Sequence, residues 1–547
     1  MSERSGAELI DDLQAWRVVP DRLRHWVSTR PDEPFVRCGG DWLSFAEVDR
    51  RSGALAGALA ARGVGKGDRV ALVLPNREET LVTIFALARL GAIQVPVNVF
   101  LKGEFLRYQL ADSQACALIA DRAGVTEADR LRESLPELRT VIQVGGIEVG
   151  EDGDGPGGAE RYDDLLAEAR AAPEVQIAPP DIMAILYTSG TTGMPKGCML
   201  SHGYYMSLTW PWYVDGWYRP DDRIITATPM FHISGQGIAL MGALLGGIPV
   251  SYESTFSASS FIDRVREAGA TVAYGVGPMA MAMLAAPQRS DERDHGLRFA
   301  VFMPMPPEAQ QRFEERFGVP LGSEIYGQSE CTNVTKSACG EPRRTPGCIG
   351  RPVELLFEVD VVDDDDNPVA DEEIGELVVR PRRPLVMFSG YWRKPEATVG
   401  ASRNLWHHTG DYVRRHADGF LTFVDRKKDS MRRRGENISS AELEAAIARH
   451  PAVAEVAVHG VPSPLGEDDV KAWLVLEPGA QVEPASLHTW FVQHLPYFAV
   501  PRYVQLTEAL PVNALGRIQK FELRELDNAA AWDLEALGLV VDRSARR

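Results

Sequence analysis

The chain is 547 residues long and 45% apolar, and its 77 acidic side chains outnumber 58 Lys and Arg, for a formal net charge of −19. That length predicts several domain-sized units of roughly 150 residues, and the acidic balance argues against a nucleic-acid-binding face and requires any site for ATP or CoA to be locally basic. The six cysteines, Cys38, Cys116, Cys198, Cys331, Cys339 and Cys348, make no CxxC pair and no zinc spacing, which predicts reduced thiols in a cytoplasmic protein; the polar N-terminus predicts no signal peptide, and no apolar run is long enough for a membrane span.

Residues 1–40 are an amphipathic lead-in. Ser44 and Glu47 form a capping-box pattern, and the Ala/Leu-rich helix after them is expected to end near Gly63. Arg69–Leu74 reads as a strand, Glu78–Leu90 as a helix stopped by Gly91, and Ile93–Val97 as a strand. A helix follows from Gly103, then a strand over Ala117–Ala120. This alternation predicts an α/β fold whose parallel sheets are flanked by helices. Residues 145–162 are rich in Gly, Asp and Glu and read as a surface loop without chemistry.

Ile182–Leu186 is a short apolar run, expected as a buried strand. It leads into Tyr187–Gly197, where Thr188, Ser189, Gly190, Thr191, Thr192, Gly193 and Lys196 crowd one turn. Glycines let backbone N–H groups approach an anion, hydroxyls add donors, and Lys196 adds a mobile charge. That combination predicts the grip of a polyphosphate. It is not the common nucleotide loop, which needs Gly, four residues, then Gly-Lys-Ser/Thr. Here Pro195 precedes Lys196 and Gly197 follows it.

The string closely resembles the phosphate loop of the adenylate-forming (ANL) superfamily, which holds acyl-CoA synthetases, amino-acid adenylation domains and luciferases. The rest of the chain carries further motifs in that family's order. Tyr204–Trp217 is rich in aromatic residues; it reads either as a core helix or as one wall of an apolar pocket containing Tyr205. In Pro229–Gly235 the resemblance places an acyl-gating side chain at His232, with Gln236 behind it. Adenylation domains usually have Phe-Asp where this chain has Phe231-His232, which implies that the substrate is not an amino acid. Gly275 and Gly277 resemble a substrate-lining turn. At Val301–Pro306 the family usually has small residues against the adenine, so the bulk of Phe302 and Met303 is a departure; Met303 is assigned to the acyl pocket.

Tyr326-Gly327-Gln328-Ser329-Glu330 matches the family's Tyr-Gly-x-Thr-Glu, with Ser for Thr. The resemblance implies that Tyr326 stacks on adenine, Ser329 contacts the α-phosphate and Glu330 helps hold Mg²⁺, a hard cation that suits carboxylate oxygen. Asp363–Asp366 reads as a polar hairpin turn rather than a metal site. Thr409-Gly410-Asp411 would place Asp411 on the ribose hydroxyls; His407 and His408 beside it have no third ligand nearby in sequence.

Phe423–Asp429 resembles the family's hinge. It divides the chain into an adenylate- and acyl-binding domain, 1–426, and a small mobile α+β lid, 427–547, that rotates about Lys428. By the same likeness Phe423 and Arg426 belong to the nucleotide site. The basic cluster Arg426–Arg434 is the densest in the chain, and Arg433, Arg434, Gly435 and Glu436 are expected on CoA and its pantetheine. The lid reads as helix, strand, Gly/Pro turn, strand, helix, strand. No carrier-protein Gly-Gly-x-Ser follows it, so the chain is expected not to load a carrier of its own.

The last motif ends in Gly516-Arg517-Ile518-Gln519-Lys520. Most relatives have lysine after this glycine, bridging substrate carboxylate and α-phosphate during adenylation and withdrawn during thioester formation. Arg517 keeps the charge but replaces a compact ammonium by a planar fork; Lys520 is the candidate substitute. The resemblance therefore implies an acyl-CoA ligase using ATP, CoA and Mg²⁺. Three readings stay open: a thioester-forming ligase that adenylates weakly and is fed acyl-AMP by a partner ligase, a complete two-step ligase, and a non-catalytic acyl or adenylate binder. A narrower likeness, resting on Arg517 and residues rich in Trp, Tyr and Met, is to acyl-CoA ligases of natural-product pathways such as those of platensimycin and platencin, and implies a bulky apolar acid.

Overall fold

The apolar runs pair side by side and in parallel. In the computed structural model, which describes residue 11 and residues 13–145, 158–188, 194–340, 345–426, 430–463, 466–511, 518 and 520–541, Arg69–Val73 lies between Ile93–Pro96 and Ala117–Asp121, with Val70 opposite both Gln94 and Ala117. The full order of this seven-stranded sheet is Glu160–Arg161, Thr140–Val144, Ala117–Asp121, Arg69–Val73, Ile93–Pro96, Ile182–Thr188, Lys196–Ser201. Ala117–Asp121 is buried at every position, which is why Ala117–Ala120 reads as a continuous apolar run rather than an alternating one. The helices that cover such strands start and stop on local chemistry. Ser44 Oγ accepts the Glu47 N–H at 3.2 Å and opens Phe45–Ala61. Glu78–Leu90 ends at Gly91, whose φ of +65° is the left-handed cap that glycine adopts without a Cβ clash.

A second seven-stranded sheet runs Leu321–Gly322, Phe299–Met303, Val272–Val276, Ile224–Thr226, Val250–Tyr252, Pro34–Cys38, Leu43–Ser44. All its pairs are parallel except the last. A third sheet, built on antiparallel pairs, is absent from the sequence reading apart from one hairpin. It runs Ile325–Tyr326, Thr335–Lys336, Cys348–Pro352, Leu421–Arg426, His407–Arg415, Ile374–Pro381, Phe357–Val362. The acidic run is the hairpin turn: the Asp365 and Asn367 N–H groups both donate to Asp363 Oδ1 at 2.9 Å.

Trp210, Trp212, Trp217, Tyr204 and Tyr205 are fully buried in the main core. Trp212 packs 4.9 Å from the rings of both Trp217 and Tyr218, and its indole N–H donates to Asn333 Oδ1 at 3.0 Å. The core reading of this stretch therefore holds.

The chain divides into two compact units, one of Met1–Asn98, Leu110–Leu186 and Gly197–Asp425, the other of Val99–Gln109, Tyr187–Lys196 and Arg426–Arg547. The second unit thus takes in two earlier segments as well as the C-terminal stretch. Its four-stranded sheet runs Val453–Pro462, Asp468–Leu476, Tyr503–Leu506, Trp532–Asp533. Within this unit Phe100 meets the Tyr497 ring edge-on at 4.6 Å, and Glu104 pairs with Arg449 at 3.3 Å. Among the described residues no helix is long and apolar enough to cross a membrane.

Candidate active site

Tyr326 ends a two-residue strand, and the chain turns at once: the Gln328 N–H donates to Cys331 O at 3.0 Å and the Cys331 N–H returns to Gln328 O at 3.1 Å. A Cβ on Gly327 would stand 2.6 Å from the Asn333 nitrogen, so only glycine fits there. The turn carries Gln328 to the strand His407–Arg415. The Tyr326 hydroxyl donates to Asp411 Oδ2 at 2.5 Å, and Gln328 Nε2 donates to the same oxygen at 2.9 Å and to Thr409 O at 2.7 Å. Burial first, then the Asp411 carboxylate, pushes the Tyr326 phenol well above its ordinary value. Thr409 and Gly410 hold the other side: Thr409 Oγ1 donates to Leu377 O at 2.7 Å, and the Gly410 N–H donates to Glu376 Oε1 at 3.0 Å. The structure thus brings together Tyr326 and Asp411, two of the predicted nucleotide residues, and adds Gln328, which the sequence reading gave no role.

Glu330 is buried. Its Oε1 accepts the Tyr391 hydroxyl at 2.7 Å, and its main-chain oxygen accepts the Phe388 N–H at 2.9 Å. Ser329 is fixed through its carbonyl, which accepts the Tyr204 hydroxyl at 2.8 Å. His407 and His408 alternate along their strand and part company. His407 lies 5.5 Å from the Phe388 ring and is pushed down by burial; His408 Nδ1 sits 3.1 Å from Glu376 Oε2. Among the described residues no three His, Cys, Asp or Glu side chains gather as a metal cluster.

The turn before Gly235 is held from below. Asn76 Nδ2 donates to Thr228 O at 3.0 Å and to Glu253 O at 3.1 Å, while its Oδ1 accepts the Met230 N–H at 2.8 Å. Gln94 and Gln236 exchange amide hydrogen bonds of 2.9 and 3.0 Å, and the Tyr205 hydroxyl donates to Gln236 Oε1 at 2.7 Å. Tyr205 and Gln236, expected to line the acyl pocket, are both buried in this network beneath the turn. They support His232, which is half-buried 4.8 Å from the Phe231 ring and leads into a π-helix, Ser234–Met241. Of the two bulky residues, Phe302 packs its ring against Phe313 at 5.4 Å in a separate core, and, because consecutive strand residues face opposite ways, half-buried Met303 packs against the main core. Added Cβ atoms at Gly275 and Gly277 would meet the Phe302 ring at 2.5 Å and Pro304 O at 1.8 Å, so both glycines are there for packing room.

In the second unit Thr188 Oγ1 donates to Lys196 O at 3.4 Å, linking two of the residues expected to grip phosphate. Ser189, Gly190, Thr191, Thr192 and Gly193 lie outside the described residues, as do Lys428 and Arg517. Arg426 closes the strand Leu421–Arg426, and Phe423 in that strand donates its N–H to Gly347 O at 2.8 Å. Arg434 and Gly435 form a two-residue hairpin turn with φ of +56° and +82°, the left-handed pair such turns require. Arg433, expected on CoA, is corrected: its guanidinium is buried against Asp469 at 3.1 Å, Glu535 at 3.2 Å and Val500 O at 2.5 Å. Glu436 is likewise buried, whereas Arg434 is half-buried and lies 5.6 Å over the Tyr497 ring. Lys520 Nζ donates to Ser440 Oγ at 2.8 Å and pairs with Glu444 at 2.6 Å.

A large unit holding two parallel sheets and an antiparallel one, together with a small α+β unit, is the fold of the adenylate-forming enzymes. Residues 23–392 match the family of AMP-binding enzymes and residues 442–517 match the AMP-binding enzyme C-terminal domain. The chain belongs to this AMP-binding family, among the acyl-CoA ligases of the ANL superfamily. It is 32% identical over 490 residues to a crotonobetaine/carnitine–CoA ligase of Salmonella choleraesuis, covering 88% of this chain and 93% of the relative. Among solved structures it resembles an o-succinylbenzoate CoA synthetase from Bacillus subtilis bound to a product analogue, with TM-score 0.80, 25% identity, and coverage of 93% and 99%. It also resembles an anthranilate CoA ligase in complex with anthranoyl-AMP, with TM-score 0.69, 26% identity, and coverage of 93% and 97%.

Proposed function

We propose that the protein forms an acyl-CoA thioester from a bulky apolar carboxylic acid by way of acyl-AMP, and that its thioester-forming half outruns its adenylating half. In the first half a carboxylate oxygen attacks the α-phosphorus of ATP and pyrophosphate leaves. In the second the CoA sulfur attacks the acyl carbon and AMP leaves. The loop Thr188–Gly193 and Lys196 grip the phosphates, Tyr326 and Asp411 seat the nucleoside, Ser329 meets the α-phosphate, and His232 stands at the acyl group. Glu330 offers a carboxylate of the kind a hard cation takes, and with no three-residue cluster among the described residues, phosphate oxygens and water would complete the shell. Mg²⁺ there would neutralise phosphate charge.

The observation that carries the uneven balance is Arg517, where the family has lysine, combined with Lys520, whose ammonium is engaged by Glu444 and Ser440. Placement governs phosphoryl-group chemistry, and an error of about 1 Å costs on the order of 10²-fold. Arg517 therefore slows adenylation while leaving attack by CoA, which does not use that side chain, intact. A partner ligase then supplies acyl-AMP. The names of the relatives support a carboxylic acid and CoA as substrates. The apolar character of the acid rests on half-buried Ile233, beside His232, and on half-buried Met303 at the end of its strand, not on the buried tryptophans.

The test is a split assay over a panel of bulky acids. One arm holds acid, ATP, Mg²⁺ and CoA; the other holds synthetic acyl-AMP and CoA. Thioester in the second arm alone is the expected result. Equal rates in both arms would mark a complete two-step ligase, the reading favoured by the retained positive charge of Arg517. No CoA consumption in either arm would mark a binding protein.

A further inference from the structure

We propose that Tyr391 is a positioning residue that fixes the Glu330 carboxylate for the divalent cation accompanying the nucleotide's phosphates. The inference rests on the reading of Glu330 as the carboxylate that meets this cation.

The phenol and the carboxylate lie 61 residues apart in sequence and meet at 2.7 Å, each residue only 8% exposed. Tyr391 is itself held by main chain. The Ser389 N–H donates to Met199 O at 2.8 Å, the Met199 N–H to Gly390 O at 3.0 Å, and the Trp392 N–H to Gly197 O at 2.8 Å. These bonds lay residues 389–392 along the strand Lys196–Ser201, the strand that leaves the phosphate loop. The Tyr391 N–H donates to Thr398 Oγ1 at 2.9 Å, and its ring packs edge-on to Phe388 at 5.0 Å. Phe388 in turn donates its N–H to Glu330 O at 2.9 Å. One short segment therefore clasps Glu330 at both its main chain and its side chain.

A glutamate has three rotatable side-chain bonds, and a carboxylate left to swing meets a cation at an entropic cost. The Tyr391 hydroxyl removes that freedom by occupying Oε1. Oε2 carries no hydrogen bond among the described residues, which makes it the oxygen left for the cation. Because the clasp is laddered to Gly197 and Met199, the carboxylate is held by main chain on both sides of Tyr391. Partners of this kind behind a metal-binding carboxylate are worth roughly 10- to 100-fold in metal affinity.

Tyr391→Phe keeps the ring and deletes only the donor. The test titrates Mn²⁺ into the full-length protein holding a non-hydrolysable ATP analogue and follows free Mn²⁺ by electron paramagnetic resonance, beside Glu330→Gln. AMP affinity in EDTA is measured for the same proteins by calorimetry. The expected result is that both variants weaken Mn²⁺ about tenfold or more, while metal-free AMP affinity in Tyr391→Phe changes less than twofold. Weakening in Glu330→Gln alone would overturn the role of Tyr391 and leave that of Glu330. Weakening in neither would overturn the reading of Glu330 and the inference with it. A parallel fall of Mn²⁺ and metal-free AMP affinity in Tyr391→Phe would make the tyrosine a packing residue and overturn the inference.

Discussion

The Tyr326 hydroxyl and the Asp411 carboxylate, 85 residues apart, are joined by a 2.5 Å hydrogen bond that Gln328 reinforces on the same oxygen. Removing the hydroxyl takes the shorter of these two bonds from that buried oxygen. Tyr326→Phe is expected to lower stability by about 1–3 kcal/mol, the cost of weakening a buried hydrogen bond to a charged group. Urea unfolding checks the stability. Calorimetric AMP binding, expected to weaken several-fold, checks whether Asp411 has lost its aim.

His202 sets an acid limit. It is fully buried, both ring nitrogens lack a partner among the described residues, and burial holds its imidazole down at about 4. The unfolded chain, with an ordinary histidine near 6.5, binds the proton that the folded chain refuses. The contribution of this residue is therefore full above about 6.5 and is lost as pH falls toward 4, a change on the order of 3 kcal/mol. Comparing urea midpoints at pH 7 and pH 5 for the native chain and His202→Leu tests this: the leucine variant should lose distinctly less between the two.

Leu405 holds φ at +63° and is 83% exposed, so it carries left-handed strain with almost no packing in return. That conformation costs a branched side chain about 1–2 kcal/mol, and the extra freedom of glycine in the unfolded chain returns about 0.5–1 kcal/mol. Leu405→Gly is expected to stabilise the protein by ~0.5–1 kcal/mol, read as a higher urea midpoint at unchanged slope.

Arg517→Lys restores the family's ammonium. Pyrophosphate exchange into ATP, which reports adenylation alone, is expected to rise on the order of 10²-fold, with thioester formation from synthetic acyl-AMP moving little. In the same assay Lys520→Met is expected to leave the residual exchange of the Arg517 protein in place, since Lys520 pairs within its own unit. A collapse of exchange in Lys520→Met would show that Lys520 serves adenylation instead.

The parallel sheets were legible because their signals are local. Ile93–Pro96 and Ala117–Asp121 are short, mostly apolar runs buried at every position, and Gly91 marks its helix end by its own conformation. The antiparallel sheet was not, because strands such as Ile325–Tyr326 and Thr335–Lys336 have two residues and no period to read. Tyr391, Gln328 and Asn76 escaped for a different reason: each is an ordinary polar or aromatic residue until a partner far along the chain gives it a task. Arg433 misled because a basic run in sequence does not reveal which of its members turns inward, and here Asp469 and Glu535 claim the one that does.

The second unit takes in Val99–Gln109, and this bears on how the protein emerges from the ribosome. Phe100 and Glu104 find Tyr497 and Arg449 only once those residues have been made. At about 5–20 residues per second, the roughly 350 residues between them take tens of seconds to synthesise. For that interval the nascent chain carries Phe100 and Glu104 before Tyr497 and Arg449 exist, so completion of this unit must be among the last events of folding. A truncation that removes Arg449 and Tyr497 would deny Phe100 and Glu104 these two contacts permanently.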